Sequence, residues 1–296
     1  MPRLAPVTAS LLLAACSSSF AAGKVFDRSA AADPQGSVEV SNVAGQVRIM
    51  GWDKAEVAVH GELDDNVERI EFSSNKGRTV VKVVLPRNCG NGCGADLEIR
   101  VPKQSELRVS TVSADLQTEN IIGVQRLNTV SGELTAHTAG ANFDGRTVSG
   151  DLRVLGNGEP AETRVETVSG NATLQRVAGR VEATSVSGEL HLEVDPAHNV
   201  RLRTTSGDVS FRGQLTGSGT LEAESVSGEV RLTTRAQEGF AYEASSFSGD
   251  LDNCFGASAQ STSAFGPGSR LSGSRGEGKA RVSVKTMSGD VEICDR

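Results

Sequence analysis

The sequence predicts an all-β chain: a single-stranded β-solenoid (β-helix) of about 18–21-residue coils, with two strands per coil and an N-terminal β cap. Three observations carry this. A hexapeptide, Thr/Ser-Val-Ser-Gly-Asp/Glu-Leu/Val, recurs along the chain, as in Thr129–Leu134, Thr147–Leu152, Ser185–Leu190, Ser225–Val230 and Thr286–Val291. The motif serines Ser113, Ser131, Ser149, Ser169, Ser187, Ser206, Ser227 and Ser248 stand 18, 18, 20, 18, 19, 21 and 21 residues apart, and Ser288 follows after 40. Aromatic residues make up only 4% of the chain, against 33 glycines, and Val, Leu and Ala carry the apolar share, which suits thin stacked strands better than a bulky core.

At the start of the chain, Met1 and Arg3 precede an apolar run from Leu4 to Ala15 that is too short to span a bilayer as a mature helix, so residues 1–21 read as an export leader. Two processing sites compete. Leu13-Ala14-Ala15-Cys16 is a lipobox at 13–16 that would lipidate Cys16, and Ser19-Phe20-Ala21 suits an ordinary signal peptidase. Either route leads to the cell envelope, as a periplasmic protein or an outer-membrane lipoprotein. Membrane attachment is expected only through the lipid at Cys16.

Residues 35–105 alternate apolar and polar positions irregularly, as in Gly36–Val40, Gly45–Ile49, Glu56–Val59 and Leu97–Val101. They read as the first coils and a cap, because a solenoid must blunt its terminal edges. Residues 106–296 are the repeat array. Period-2 alternation over Val148–Val154 places Val148, Gly150, Leu152 and Val154 on the inner face, with Ser149, Asp151 and Arg153 outside. Val148, Leu152, Leu190 and Val230 are the expected core. The parity of the two strands of a coil does not match through the Thr/Ser-Val junction, so a corner or bulge must absorb one residue there. The Gly/Ser-rich stretch 255–280 reads as a loop inserted in the last coil.

The acidic residue after each motif glycine (Glu133, Asp151, Glu189, Asp208, Glu229, Asp250, Asp290) would form a column along one edge. One carboxylate per coil falls short of a calcium ladder, so the column reads as solvated turn residues. Apart from Cys16, four cysteines remain, which in an oxidising compartment suggests two disulfides. Cys89 and Cys93 read as a local staple, since no histidine stands near to complete a metal site. Cys254 and Cys294 each lie five residues after a motif glycine, Gly249 and Gly289. They occupy one repeat position, and a bond between them would cross adjacent rungs about 4.8 Å apart.

The start Gly36-Ser-Val-Glu-Val…Gly45-Gln-Val…Gly51-Trp52-Asp53, the motif array and the ending Met287-Ser-Gly-Asp-Val-Glu-Ile-Cys294 together resemble the DUF4097 family, over roughly residues 35–296. That resemblance implies an exported bacterial β-helix protein of the candidate-adhesin kind, and it carries no active site to transfer. No catalytic residue, cofactor or metal is expected. There is one Trp (Trp52) and one Tyr (Tyr242), the latter on the apolar parity with Phe240, and no nucleophile or phosphate-loop set. A net charge of −7 argues against nucleic acid. The expected function is non-enzymatic binding or scaffolding toward an envelope protein or glycan. A periplasmic partner in envelope-stress regulation is the alternative, and a β-helical polysaccharide-active enzyme fits less well.

Overall fold

The motif spacing becomes a parallel register in the structure, a computed structural model that describes residues 24–75, 77–89, 93–262 and 267–295. The leader, its two processing sites and Cys16 lie outside the described residues. Strand Gln125–Asn128 pairs in parallel with Glu106–Thr111 on one side and Phe143–Thr147 on the other. After the motif, strand Leu134–His137 pairs in parallel with Asp115–Glu119 and Leu152–Leu155. The chain thus winds upward by one rung per repeat, and the described strands join one continuous 24-stranded sheet without helices. No helix among the described residues is long and apolar enough to cross a membrane.

Stacking identical repeat positions builds the core. Leu116, Leu134, Leu152, Ala172, Leu190, Val209, Val230 and Val291 lie side by side in register and are all buried. A residue on an inner rung of this column packs against its counterparts above and below, and burying a leucine so contributes about 2–3 kcal/mol. Tyr242 is buried beside Phe240 and Phe255, with ring centroids 6.2 and 5.3 Å away. It is a core residue of the last coils.

Val148 does not point inward. It is 43% exposed, whereas Thr147 before it and Gly150 after it are buried. Two consecutive residues, Val148 and Ser149, face out. This two-residue corner absorbs the parity difference between the strands, and simple alternation carried through it assigned Val148 to the wrong side. Leu152, Leu190 and Val230 are in the core.

The glycine of the motif sits where rungs come closest. A Cβ built on Gly150 would lie 1.9 Å from the carbonyl oxygen of Gly132, and one on Gly170 would lie 1.9 Å from that of Gly150. The same clash, at 1.9–2.1 Å, recurs at Gly132, Gly188, Gly207, Gly249 and Gly289. Real Cβ atoms do not approach backbone oxygens that closely, so any side chain here must push two rungs apart.

At both ends one rung is laid down out of chain order. Near the start, strands Ser37–Asn42 and Gln46–Trp52 lie between the rung of Arg78–Val84 and Ala95–Pro102 and that of Glu106–Thr111 and Asp115–Glu119. Near the finish, Ala280–Thr286 and Val291–Cys294 slide between the rung containing Val230–Ala236 and that of Gly239–Ser246 and Leu251–Asn253. The last strand of the chain is therefore not the last in space. Antiparallel strands close both ends: Lys24–Ala31 on Glu56–Leu63 and Arg69–Asn75 on Arg78–Val84 at one, Ser269–Gly276 on Gly239–Ser246 at the other. Within the Gly/Ser-rich stretch, Ser269–Gly276 is thus a strand of the sheet and not a loop. Cys254 and Cys294 are joined across adjacent rungs with Cα atoms 5.0 Å apart, and Cys89 and Cys93 are joined within their loop.

Two outcomes follow for denaturation experiments. Leu152→Ala and Leu190→Ala each lose about 2–4 kcal/mol, while Val148→Ala loses under about 0.5 kcal/mol; equal losses at all three would contradict the corner geometry. Gly170→Ala, which adds one methyl group, loses more than about 3 kcal/mol, and a neutral result would show that the rungs can separate there at little cost.

Candidate functional site at the corner edge

The corner is a repeated hydrogen-bonded unit. Its first residue, Thr or Ser, is buried and turns its hydroxyl back on the chain. The N–H of Gly150 donates to Thr147 Oγ1 at 3.0 Å, and Gly188 to Ser185 Oγ at 2.8 Å. Gly207, Gly249 and Gly289 do likewise toward Thr204, Ser246 and Thr286. This is why a short side chain with an acceptor oxygen suits the position, Thr or Ser on most rungs and Asn42 on the first: it satisfies an amide that the turn would otherwise leave unpaired. On the Thr111 and Thr167 rungs the hydroxyl instead donates to the carbonyl of Ala114 or Gly170, and on the Ser225 rung, with Gly228 at φ +125°, the buried hydroxyl has no partner.

The two outward residues form ladders. The N–H of each motif serine donates to the carbonyl of the residue at the valine position one rung below, Ser149 to Val130, Ser169 to Val148, Ser187 to Val168, at 2.8–2.9 Å. Most of the upper serines add their hydroxyl to the same carbonyl, Ser169 to Val148 at 3.2 Å and Ser187 to Val168 at 3.1 Å. The acidic column is likewise engaged wherever the side chain is short. Asp115 accepts the N–H of Glu133, Asp151 that of Asn171, Asn171 that of Glu189, and Asp208 that of Glu229, at 2.8–2.9 Å. These are more than solvated turn residues, since each Oδ1 ties one rung to the next.

With the backbone groups so occupied, the edge presents to solvent a line of apolar side chains. In rung order it runs Val43, Val112, Val130, Val148, Val168, Val186, Thr205, Val226, Met287 and Phe247, as the serine-to-carbonyl ladder dictates. The apolar members are 38–58% exposed. Ten rungs at about 4.8 Å make a straight ridge roughly 43 Å long. Isolated exposed valines need no explanation, but a continuous line of them does. Reading the sequence missed the ridge because it sent the valine to the core; the parity break at the Thr-Val junction was the available signal.

Elsewhere the outer surface is largely self-satisfied. Arg164 donates to Glu166 at 2.6 Å and reaches Glu182, Arg203 pairs with Glu224 at 3.0 Å, and Arg201 with Glu222 at 3.0 Å. Glu106 accepts hydrogen bonds from Arg108 and Arg126, and the Arg108 bond first of all holds its carboxyl below the usual range. A cleft of 720 Å³ is lined by Arg176, Arg212 and Arg235 together with Glu193, Asp195 and Asp295, charges of both signs. Cys254, Glu292 and Cys294 lie within 4.8 Å, but both sulfurs are committed to the disulfide. Trp52 donates its Nε1–H to the Glu56 carbonyl at 2.8 Å and lies beneath Lys54, at the capped end and away from the ridge.

A family model described as Toastrack DUF4097 matches the chain over residues 35–214 and 212–294. No curated protein matches it. Among solved structures, a candidate lipid-binding protein from Parabacteroides distasonis is similar at 13% identity over 91% of this chain and 97% of its own, with a TM-score of 0.54. Candidate adhesins from Bacteroides fragilis and Parabacteroides merdae align at 10% identity each. They cover 91% and 92% of this chain and 97% and 96% of their own, with TM-scores of 0.46 and 0.36. What the Parabacteroides distasonis structure shares with this chain is the fold.

Because Asn171 serves in the column as Asp151 does, Asp151→Asn leaves the melting temperature within error, whereas Asp151→Ala loses about 1 kcal/mol. A penalty for Asp151→Asn equal to that for Asp151→Ala would mean that the negative charge, not the hydrogen bond to the next rung, is what matters.

Proposed function

The chain belongs to the Toastrack DUF4097 family, and on that footing we propose that it is an exported, non-enzymatic β-solenoid of the cell envelope that acts by adhesin-like binding or scaffolding. Each coil supplies two strands, and the N-terminal strands cap the stack. The observation that carries the reading is the apolar ridge: a ten-rung line of exposed side chains on an edge whose valine carbonyls and serine amides are already paired. Such an edge offers shape and apolar area, not reactive groups. The two disulfides suit an oxidising compartment, periplasmic or at the outer membrane, with Cys16 as the one expected lipid attachment point. The partner is a protein or glycan of the envelope, and nucleic acid does not suit an acidic surface.

The non-enzymatic part rests on dispersion. The motif carboxylates stand at most one per rung, and they and the carboxylates of the strand faces are tied to neighbouring amides or arginines, where catalysis would need several groups aimed at one atom. A part in envelope-stress regulation uses the same edge and differs only in the partner.

Immobilised protein incubated with an envelope extract retains a component that the Val148→Lys/Val186→Lys double variant does not, and purified protein leaves envelope polysaccharide intact. Retention indifferent to the two lysines would move the binding surface off the ridge. Oligosaccharide released by the purified chain would overturn the non-enzymatic reading.

A further inference from the structure

The ridge also restricts what can lie against it. Its carbonyls accept the N–H of the serine above, and most serine hydroxyls in the upper half of the array donate to those same carbonyls. A glycan, which binds through hydroxyl hydrogen bonds, finds these carbonyls, the serine amides and most of the upper serine hydroxyls already engaged. An apolar partner fits, and the spacing narrows the choice. A helix presents one residue per 5.4 Å turn, so against rungs about 4.8 Å apart it slips about 5 Å over nine steps, one whole rung out of register. A second stacked ladder keeps step along the full length.

From this we infer that the ridge is a self-association surface on which two copies of this chain pair edge to edge. The inference rests on the reading of the ridge as a binding surface and names its partner. The area agrees: the exposed apolar members offer on the order of 700 Å² per copy, close to the ~800 Å² that each partner of a standard interface buries.

Charge selects the orientation. On one flank of the ridge runs the acidic column. On the other flank, five residues earlier on the same rungs, stand exposed Arg146, Arg203 and Lys285 opposite Asp151, Asp208 and Asp290. If the two-fold axis lies along the ridge, the copies run in the same direction. Each acidic column then borders the partner's flank that bears Arg146, Arg203 and Lys285. That flank also carries Glu166, opposite Asn171, and Glu224, opposite Glu229; Arg146 and Arg203 pair with these two along the flank, and the Glu224 rung alone places acids on both flanks. A two-fold across the ridge would set acidic column against acidic column, with repulsion at more than half of the rungs. In the favoured arrangement each rung meets its own counterpart, and the two Lys24 ends lie together.

Sedimentation of the purified chain at micromolar concentration gives a dimer, and Val148→Lys/Val186→Lys gives a monomer with an unchanged thermal transition. Val148→Thr/Val186→Thr, a milder pair, weakens dimerisation at least tenfold. Under mild oxidation Val112→Cys and Val226→Cys, both away from mid-ridge, each cross-link to themselves. A monomeric wild type at 100 μM (roughly a hundredfold above a micromolar Kd), a dimer unaffected by the lysines, or failure of both cysteines to cross-link overturns the inference. So does a monomer that floats with neutral phosphatidylcholine vesicles, which would assign the ridge to lipid. If wild type is monomeric yet its envelope retention still depends on Val148 and Val186, self-pairing fails while the ridge survives as a binding surface. Loss of both would remove the two readings together.

Discussion

The structure depends on one close approach, the seat of the motif glycine against the backbone carbonyl of the equivalent residue one rung below, a glycine in every case but Ala114 beneath Gly132. At 1.9–2.1 Å from that oxygen there is no room for a Cβ on most rungs, and only the first copy of the motif, with Ala114, departs from glycine. This contact sets the corner. It lets the backbone turn within two outward residues, brings the Thr or Ser hydroxyl under the glycine amide, and aligns serine N–H groups with the carbonyls below. Remove the approach and the hydroxyl cap, the serine ladder and the aspartate ladder all lose their geometry together.

The apolar ridge is a consequence of the same turn. A corner with one residue inside, two outside and one inside again must expose whatever sits at its second position. In eight of the ten rungs before Phe247 and Met287 are counted, that residue is Val or Thr, β-branched and stiff, which suits an extended corner and presents a fixed apolar surface. The polar groups around it are committed to holding the rungs together. An edge of this kind associates through area and repeat spacing, and the ionic rows on the faces, exemplified by Arg164 between Glu166 and Glu182, keep the remaining surface soluble and self-satisfied.

Much of this was legible in the residues. The motif spacing fixed the coil, the recurring glycine marked the close approach, and the equal offset of Cys254 and Cys294 from their glycines placed them at one repeat position, where the structure joins them at a Cα separation of 5.0 Å. The outward turn of Val148 was not legible, because period-2 alternation is blind to a corner that spends two residues on one side. The rung order at the ends was hidden for another reason. Ala280–Thr286 carries the same motif as its neighbours, so nothing local says that it enters below Gly239–Ser246 and not above. The same holds for Ser37–Asn42 between Arg78–Val84 and Glu106–Thr111. The cleft arginines Arg176, Arg212 and Arg235 come from three of four consecutive coils and share no motif, so only the stacked structure brings them together.

Residue-resolved amide hydrogen exchange tests the corner geometry most directly. The account predicts that the N–H groups of Gly150, Ser149, Ser169 and Ser187, which lie at the solvent edge, exchange as slowly as those of the buried strand residues Leu152 and Leu190, because hydroxyl, rung carbonyl and strand ladder open only together. Rapid exchange at Gly150 and the three serines, with Leu152 and Leu190 still protected, would show that the corners are loose connections between strands and would contradict it.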